Sequence, residues 1–196
     1  MSDARRHAPA TQRNRDAILA VLRRTLPSAG LVLEVASGSG EHALHFAGAL
    51  PGLAFLPSDP DPDALASIAA WTAGSPNVLP PVQLDVTGDW PVAAANAILC
   101  INMIHIAPWA ATIGLLAGAA RILPAGAPLY LYGPYRRNGA HTAPSNEAFD
   151  RSLRDRDPAW GVRDIEAVSG LAAADFTGPE ITEMPANNLS LVFRRR

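Results

Sequence analysis

A chain of 196 residues is long enough for one domain with a full core and too short for two ordinary ones. With 48% apolar and 17% charged residues it reads as globular rather than disordered, and a formal net charge of -2 offers no footprint for nucleic acid or an anionic membrane. One cysteine, Cys100, excludes a disulfide framework and fits a reducing cytoplasm; no apolar run reaches membrane-spanning length, and the polar start carries no secretory pattern.

Residues 1–11 read as a flexible tail ahead of a single domain over 12–196. Ile18, Leu19, Val21, Leu22 and Leu26 recur at helical spacing from Gln12, and Pro27 and Gly30 end that helix. Leu31–Ala36 is a short, nearly continuous apolar run, the mark of a strand covered on both faces. A helix is expected from about Glu41 to Leu50, a second strand over Leu53–Leu56 closing on Ser58-Asp59, and a helix from Pro62 to Ala73. Strands three to five are expected at about Pro81–Val86, Ala97–Met103 and Pro128–Tyr132, with a long helix from Trp109 to Leu123 before the fifth.

The rhythm then changes. Residues 133–146 read as a polar loop, followed by weaker helices near 147–155 and 163–174. Glu180–Met184 and Leu189–Arg194 form the last two strands, and the short link between them leaves no room for a parallel crossover, so this pair is antiparallel. The pattern is α/β: a doubly wound, mostly parallel seven-strand sheet with an antiparallel end. In such folds ligands bind beyond the carboxyl ends of the strands.

The stretch VLEVASGSGEHALHFA, residues 32–47, lies at that edge. Amides of a glycine turn leading into a helix attract electron-rich groups, and glycine lets a ligand approach the main chain. Glu34, Asp59 and Asp85 fall at the ends of strands one, two and three. An acid at the second strand end suits ribose hydroxyls, one at the third suits an exocyclic amine, and one at the first suits an ammonium group. The ligand matching all three is an adenosine carrying an amino acid, as in S-adenosylmethionine.

VLEVASGSGEHALHFA, LPSDPDP, QLDVTGDWP and ILCINMIHIAPW together resemble the class I S-adenosylmethionine-dependent methyltransferases, and LYLYGPYRRNGAHTAPSNEAFD with MPANNLSLVF resembles one small branch of them, the DUF938 / methyltransferase-like 26 family. The resemblance runs over about residues 12–195 and implies the fold and the cofactor, not the substrate. Carried across by position, Glu34, Gly38 and Gly40 match the glycine motif, with Ala36 and Ser37 inside its turn; Asp59 matches the ribose acid, and Asp85 with Val86 the adenine site. Ala36 stands where most of the superfamily has its first glycine. The resemblance also suggests that Gln12, Asn14 and Arg15 fold over the cofactor.

Asn102 and His105 are expected to emerge from strand four near the methyl group, Asn102 touching cofactor and acceptor and His105 taking a proton, with Tyr135 as a third catalytic candidate. Trp109 is a candidate wall of the acceptor pocket, Arg136 a clamp for an anionic group, and His141, Asn187 and Asn188 further acceptor contacts at the same edge. His42 and His45, three apart, lack further metal ligands nearby and read as structural, as does Cys100. A small-molecule acceptor is expected.

Two rivals remain open. Gly38-Ser39-Gly40-Glu41-His42-Ala43 also fits the GxGxxA dinucleotide fingerprint with Asp59 about twenty residues on, which suits an NAD(P)-dependent oxidoreductase. A non-catalytic binding module of the same fold is the other. A serine hydrolase fits poorly, because Val35 and Ser37 stand where its nucleophile elbow needs glycine.

Overall fold

The computed structural model describes residues 4–196. Its strands and helices alternate as β1 Gly30–Val35, β2 Leu53–Asp59, β3 Val82–Gln83, β4 Ala97–Ile101 and β5 Pro128–Gly133, with α1 Pro9–Thr25 ahead of β1, α2 Glu41–Ala49, α3 Pro62–Thr72 and α4 Trp109–Ile122 between them. After β5 come β6 Tyr135–Arg137, β7 Ala140–His141, α5 Pro144–Arg156, β8 Arg163–Asp164, α6 Ile165–Ala172, β9 Phe176–Met184 and β10 Asn188–Arg195. The main sheet has the order β3-β2-β1-β4-β5-β10-β9. Its first five strands are parallel, and β10 runs antiparallel to both β5 and β9. The expected seven-strand architecture is therefore present.

Alternation along the strands divides the core in two. Val32, Leu99, Tyr130 and Val192 meet Ile18 and Leu22 of α1 and Phe46 of α2 on one face. Leu33, Ile98, Leu129 and Leu191 meet Leu115 and Ala119 of α4 and Val168 of α6 on the other. Burying an aliphatic side chain of this size contributes roughly 1.5–3 kcal/mol, which is why both faces read as apolar. Gly114 and Gly118 make α4 flat where it meets the chain after β3. A Cβ at 114 would strike the Val86 carbonyl, and one at 118 the Trp90 ring.

Several boundaries differ from expectation. The first helix begins at Pro9, not Gln12, and the residues before it are tied down. Arg6 pairs with Asp61 and Asp63, Trp71 Nε1 donates to the Arg6 carbonyl, and the Ala8 amide donates to Glu41. Residues 1–3 of the expected tail lie outside the described residues. The third strand shrinks to two residues between the Pro80-Pro81 pair and the turn at Asp85. The fourth stops at Ile101 because Asn102 turns left-handed, φ 63°. Residues 133–146 are not a loop throughout: β6 and β7 form a hairpin over Asn138-Gly139, both at positive φ, and β8 completes a small three-stranded sheet. Asn-Gly is the residue pair that such a tight hairpin favours.

Among the described residues, no helix is long and apolar enough to cross a membrane.

Candidate functional site

The parallel strands deliver their carboxyl ends to one edge, and a cavity of about 470 Å³ opens there. That volume lies within the roughly 300–1,000 Å³ of small-ligand sites. Five residues singled out from the sequence line it: Ala36, Gly38, Asp59, Asp85 and Val86. Between them lie apolar walls from Leu84, Ile101, Met103 and Ile106, with Pro108 and Ala111 at the start of α4. These apolar residues escaped the sequence reading, since an apolar residue after a strand looks the same whether it faces a ligand or the core.

Ser37 stitches the turn to β2. Its amide donates to the Ser58 carbonyl (2.8 Å), and the Ser58 hydroxyl donates to the Glu34 carbonyl (2.8 Å). Ser37 itself is buried and is not among the residues that line the cavity. Gly40 ends the turn at φ 90°, and a Cβ there would press on Ile68 of α3. It shapes the turn from behind rather than lining the cavity. Ala36 sits at φ 57°, left-handed backbone that costs an alanine about 1 kcal/mol or more. Ala36→Gly is therefore expected to stabilise the fold by about 0.5–1 kcal/mol, after the larger chain entropy of glycine is set against the relieved strain; urea denaturation measures it.

The three acids differ in their surroundings. Asp59 accepts the amides of Gly38 and Asp61, both at 3.0 Å, so its carboxylate is fixed toward the glycine turn. Asp85 accepts the Thr87 amide (2.9 Å) and hydroxyl (2.7 Å), and these bonds hold its carboxyl below the usual range. Glu34 is only 2% exposed, and its Oε2 finds no partner among the described residues. Burial pushes its carboxyl up to about 7; the Ser37 hydroxyl opposes the shift and the Asp59 charge adds to it. A buried oxygen left unpaired is costly, and a cationic group at this point would meet it.

The expected catalytic group is arranged otherwise. His105 is fully buried, in the short 3-10 turn after Asn102, and does not line the cavity. Its Nδ1 accepts the Arg163 amide (3.3 Å), so the neutral ring carries its proton on Nε2. Burial, with the Arg163 charge, pushes the imidazole down to about 3. The expectation that His105 takes a proton meets a ring whose Nδ1 lone pair accepts a main-chain amide. Its Nε2 lies against Gly133, where a Cβ would collide with it, and has no partner among the described residues. Tyr135, the other catalytic candidate, also lies away from the cavity lining. It is fully buried in the core, edge-on to His105 at 4.8 Å, and burial next to Cys100 and Tyr130 raises its hydroxyl well above the ordinary value. Asn102, half-buried, donates its amide to the Tyr132 carbonyl (2.8 Å) and stands outside the cavity lining.

The acceptor-side residues are not gathered on the cavity either. Trp109 opens α4 with the Arg163 guanidinium over its ring at 5.6 Å. Arg136 and His141 are cross-strand neighbours in the small sheet. His141 Nε2 lies 3.4 Å from Asp150 of α5, and Arg136 Nε is buried without a partner among the described residues. Asn187 and Asn188 build the β9–β10 turn, which reaches the carboxyl edge as expected. Asn187 accepts from Asn146 and donates to Ser145, and Asn188 donates to the Pro185 carbonyl. A residue the sequence did not single out ties this region together. Arg163 donates to the carbonyls of Ile104, Ala107 and Ala159, clamping β8 onto the chain after β4.

Of the remaining sequence candidates, His42 Nε2 is bonded to Asn14 Oδ1 (2.8 Å), which packs the start of α1 beside the glycine turn. His45 faces Asp16. Cys100 is buried in β4, and burial pushes its thiol up to about 12.

A family described as "Protein of unknown function (DUF938)" matches residues 5–195. Among solved structures, the chain is similar to the S-adenosylmethionine-dependent methyltransferase SibL in its apo form, with a TM-score of 0.77 and 20% identity over 94% of this chain and 55% of that one. It is similar to the O-methyltransferase family 2 protein from Planctomyces limnophilus DSM 3776 in complex with apigenin, at TM-score 0.77 and 18% identity over 93% and 56%. Human N-acetylserotonin methyltransferase in complex with SAM gives TM-score 0.73 and 14% identity over 92% and 58%. The chain thus spans a little over half the length of these proteins. At such identities the likeness is one of fold, that of Rossmann-like class I methyltransferases.

Proposed function

The chain belongs to the DUF938 family, and we propose that it transfers the methyl group of S-adenosylmethionine to a small-molecule acceptor. One observation carries this reading. Asp59 and Asp85 lie on a single cavity beside the glycine turn, with the buried Glu34, whose Oε2 has no partner among the described residues, at the end of β1. An adenosine bearing an amino acid uses all three acids; a dinucleotide has no ammonium for Glu34.

The residues present fit that cofactor. Asp59 is fixed to receive ribose hydroxyls, and Asp85 keeps one carboxylate oxygen free for the adenine amine. Leu84, Val86 and Met103 supply apolar surface for the adenine ring. Ala36 and Gly38 leave room for close approach, and Glu34 supplies the counter-charge for the ammonium. The cofactor, when bound, supplies an electrophilic methyl group. The chain's own share is to hold it and exclude water, since acceleration of such a displacement comes largely from positioning.

Calorimetric titration with S-adenosylhomocysteine tests the reading. Saturable binding in the micromolar range is expected, weakened at least tenfold, about 1.4 kcal/mol, in Asp59→Asn, which keeps an oxygen for the Gly38 amide. No heat and no thermal shift up to millimolar ligand would sink it. Binding of NAD in its place would favour an oxidoreductase.

A further inference from the structure

On that reading, we infer that Ser67 and Glu41 are positioning residues of the cofactor site. They fasten residues 6–8 as a strap against the glycine turn, so that strap and cofactor hold the same turn and each strengthens the grip of the other.

Two hydrogen-bonded routes lead from the strap into the turn, and both end on Ser39. The Arg6 amide donates to the Ser67 hydroxyl, which is fully buried and donates in turn to the Ser39 carbonyl, each at 2.8 Å. The Ala8 amide and the Ser39 hydroxyl both donate to Glu41 Oε2, at 2.8 and 2.9 Å. Ser39 is buried and is not among the residues that line the cavity, but its neighbour Gly38 is. The Gly38 amide is bonded to Asp59 at 3.0 Å. Whatever fixes Ser39 therefore limits where the Gly38 amide, and with it Asp59, can lie.

The backbone on either side of Ser39 makes this turn depend on its anchors. Gly38 stands at φ 59° and Gly40 at φ 90°, and glycine has more conformational freedom to lose than any other residue. A turn with loosened anchors samples more shapes, and ordering it again costs part of a ligand's binding free energy; a turn already held costs less. Two groups that order one segment are coupled in this way without touching each other. The firm anchors are main-chain amides rather than surface charges. Burial pushes the Glu41 carboxyl up, but the Ala8 amide, the Ser39 hydroxyl and His7 outweigh it and hold the group below its usual range. A buried carboxylate deprived of its donors is costly, so Glu41 binds the strap firmly. The pairs of the Arg6 guanidinium with Asp61 and Asp63 lie at the surface, where an ion pair contributes little.

Hydrogen exchange and calorimetry on the full chain with S-adenosylhomocysteine test the coupling. Saturating ligand should slow exchange of the Arg6 and Ala8 amides by about fivefold or more. It should leave unchanged the Gly126 amide, which is bonded to the Arg195 carbonyl away from the cavity lining. By reciprocity, Ser67→Ala and Glu41→Ala should each weaken ligand binding by about fivefold or more. Glu41→Gln, which keeps an oxygen for the Ala8 amide and the Ser39 hydroxyl, should recover most of that loss. Asp63→Ala, which removes one surface ion pair of the strap, should stay within about twofold of the wild type. A merely structural role for Ser67 and Glu41 would lower the melting temperature of their variants yet leave the affinity of the folded protein untouched; that result overturns the inference. So does wild-type exchange at Arg6 and Ala8 that is indifferent to ligand, a measurement that decides even if both variants fail to fold. A full chain that binds no S-adenosylhomocysteine removes the cofactor reading beneath, and the coupling with it.

Discussion

Glu34→Gln is expected to raise the melting temperature of the free protein at mildly alkaline pH by roughly 6–12 °C, while weakening its hold on S-adenosylhomocysteine. The wild-type carboxyl titrates at about 7 in the folded chain, against 4.5 when free of it. Between those two values the folded state keeps a proton that the unfolded state has released. Stability therefore falls as pH rises through that window and is level above it, by about 3 kcal/mol in all. A neutral amide carries no such cost, so the variant's melting temperature should be nearly flat over the same range. With ligand the order reverses. An ammonium group favours the charged carboxylate, so wild-type affinity should climb with pH to about 7 and then level off, whereas the variant's should stay flat and at least tenfold weaker, about 1.4 kcal/mol, on the alkaline side. Thermal melts and calorimetry on either side of neutrality read both effects. A wild-type melting curve indifferent to pH in this window would show that Glu34 is not the strained group described.

Gly114→Val should destabilise the fold by about 3 kcal/mol, the upper end of the usual cost of overpacking. Within a helix, replacing glycine by alanine ordinarily stabilises by about 1 kcal/mol, so even Gly114→Ala should run against its propensity. The cause is contact. A side chain at 114 meets the Val86 carbonyl and the Thr87 Cα, main-chain atoms with little freedom to yield. Val86 and Thr87 also line the cavity beside Asp85. The variant should therefore lose ligand affinity along with stability. Gly170→Ala is the control, since a Cβ there meets nothing within 4 Å. Urea denaturation of the three proteins decides it; equal stability at 114 and 170 would remove the close approach from the argument.

The parallel core was legible because each of β1, β2, β4 and β5 is buried on both faces and closed by a turn residue, and because the Pro185–Asn188 link is too short for a crossover. Strand three was over-read, since an apolar alternation says nothing of whether a neighbour is long enough to pair with. The hairpin at Asn138-Gly139 was missed although its turn residues were in view, because β6 and β7 are polar and carry no apolar period. The cavity acids were legible by position at strand ends. The lone pair of His105 was not. A histidine's role depends on which partner reaches which ring nitrogen, and that partner, the Arg163 amide, comes from a strand fifty-eight residues along the chain.

The placing of β10 between β5 and β9 has a consequence for synthesis. On a ribosome, β1 to β5 emerge in an order that lets each parallel pair form in turn, but the outer side of β5 stays bare until residues 188–195 have been made. During that interval the unpaired main chain of Leu129, Tyr130, Leu131 and Tyr132 faces solvent as an open template for other strands. The β9–β10 hairpin can close locally and dock as a unit. The nascent chain's exposure to aggregation is thus set by how soon that hairpin follows the long excursion through β6, α5 and α6. A translational pause within residues 134–187 should lengthen the dangerous interval, whereas a pause before Pro128 should leave it unchanged.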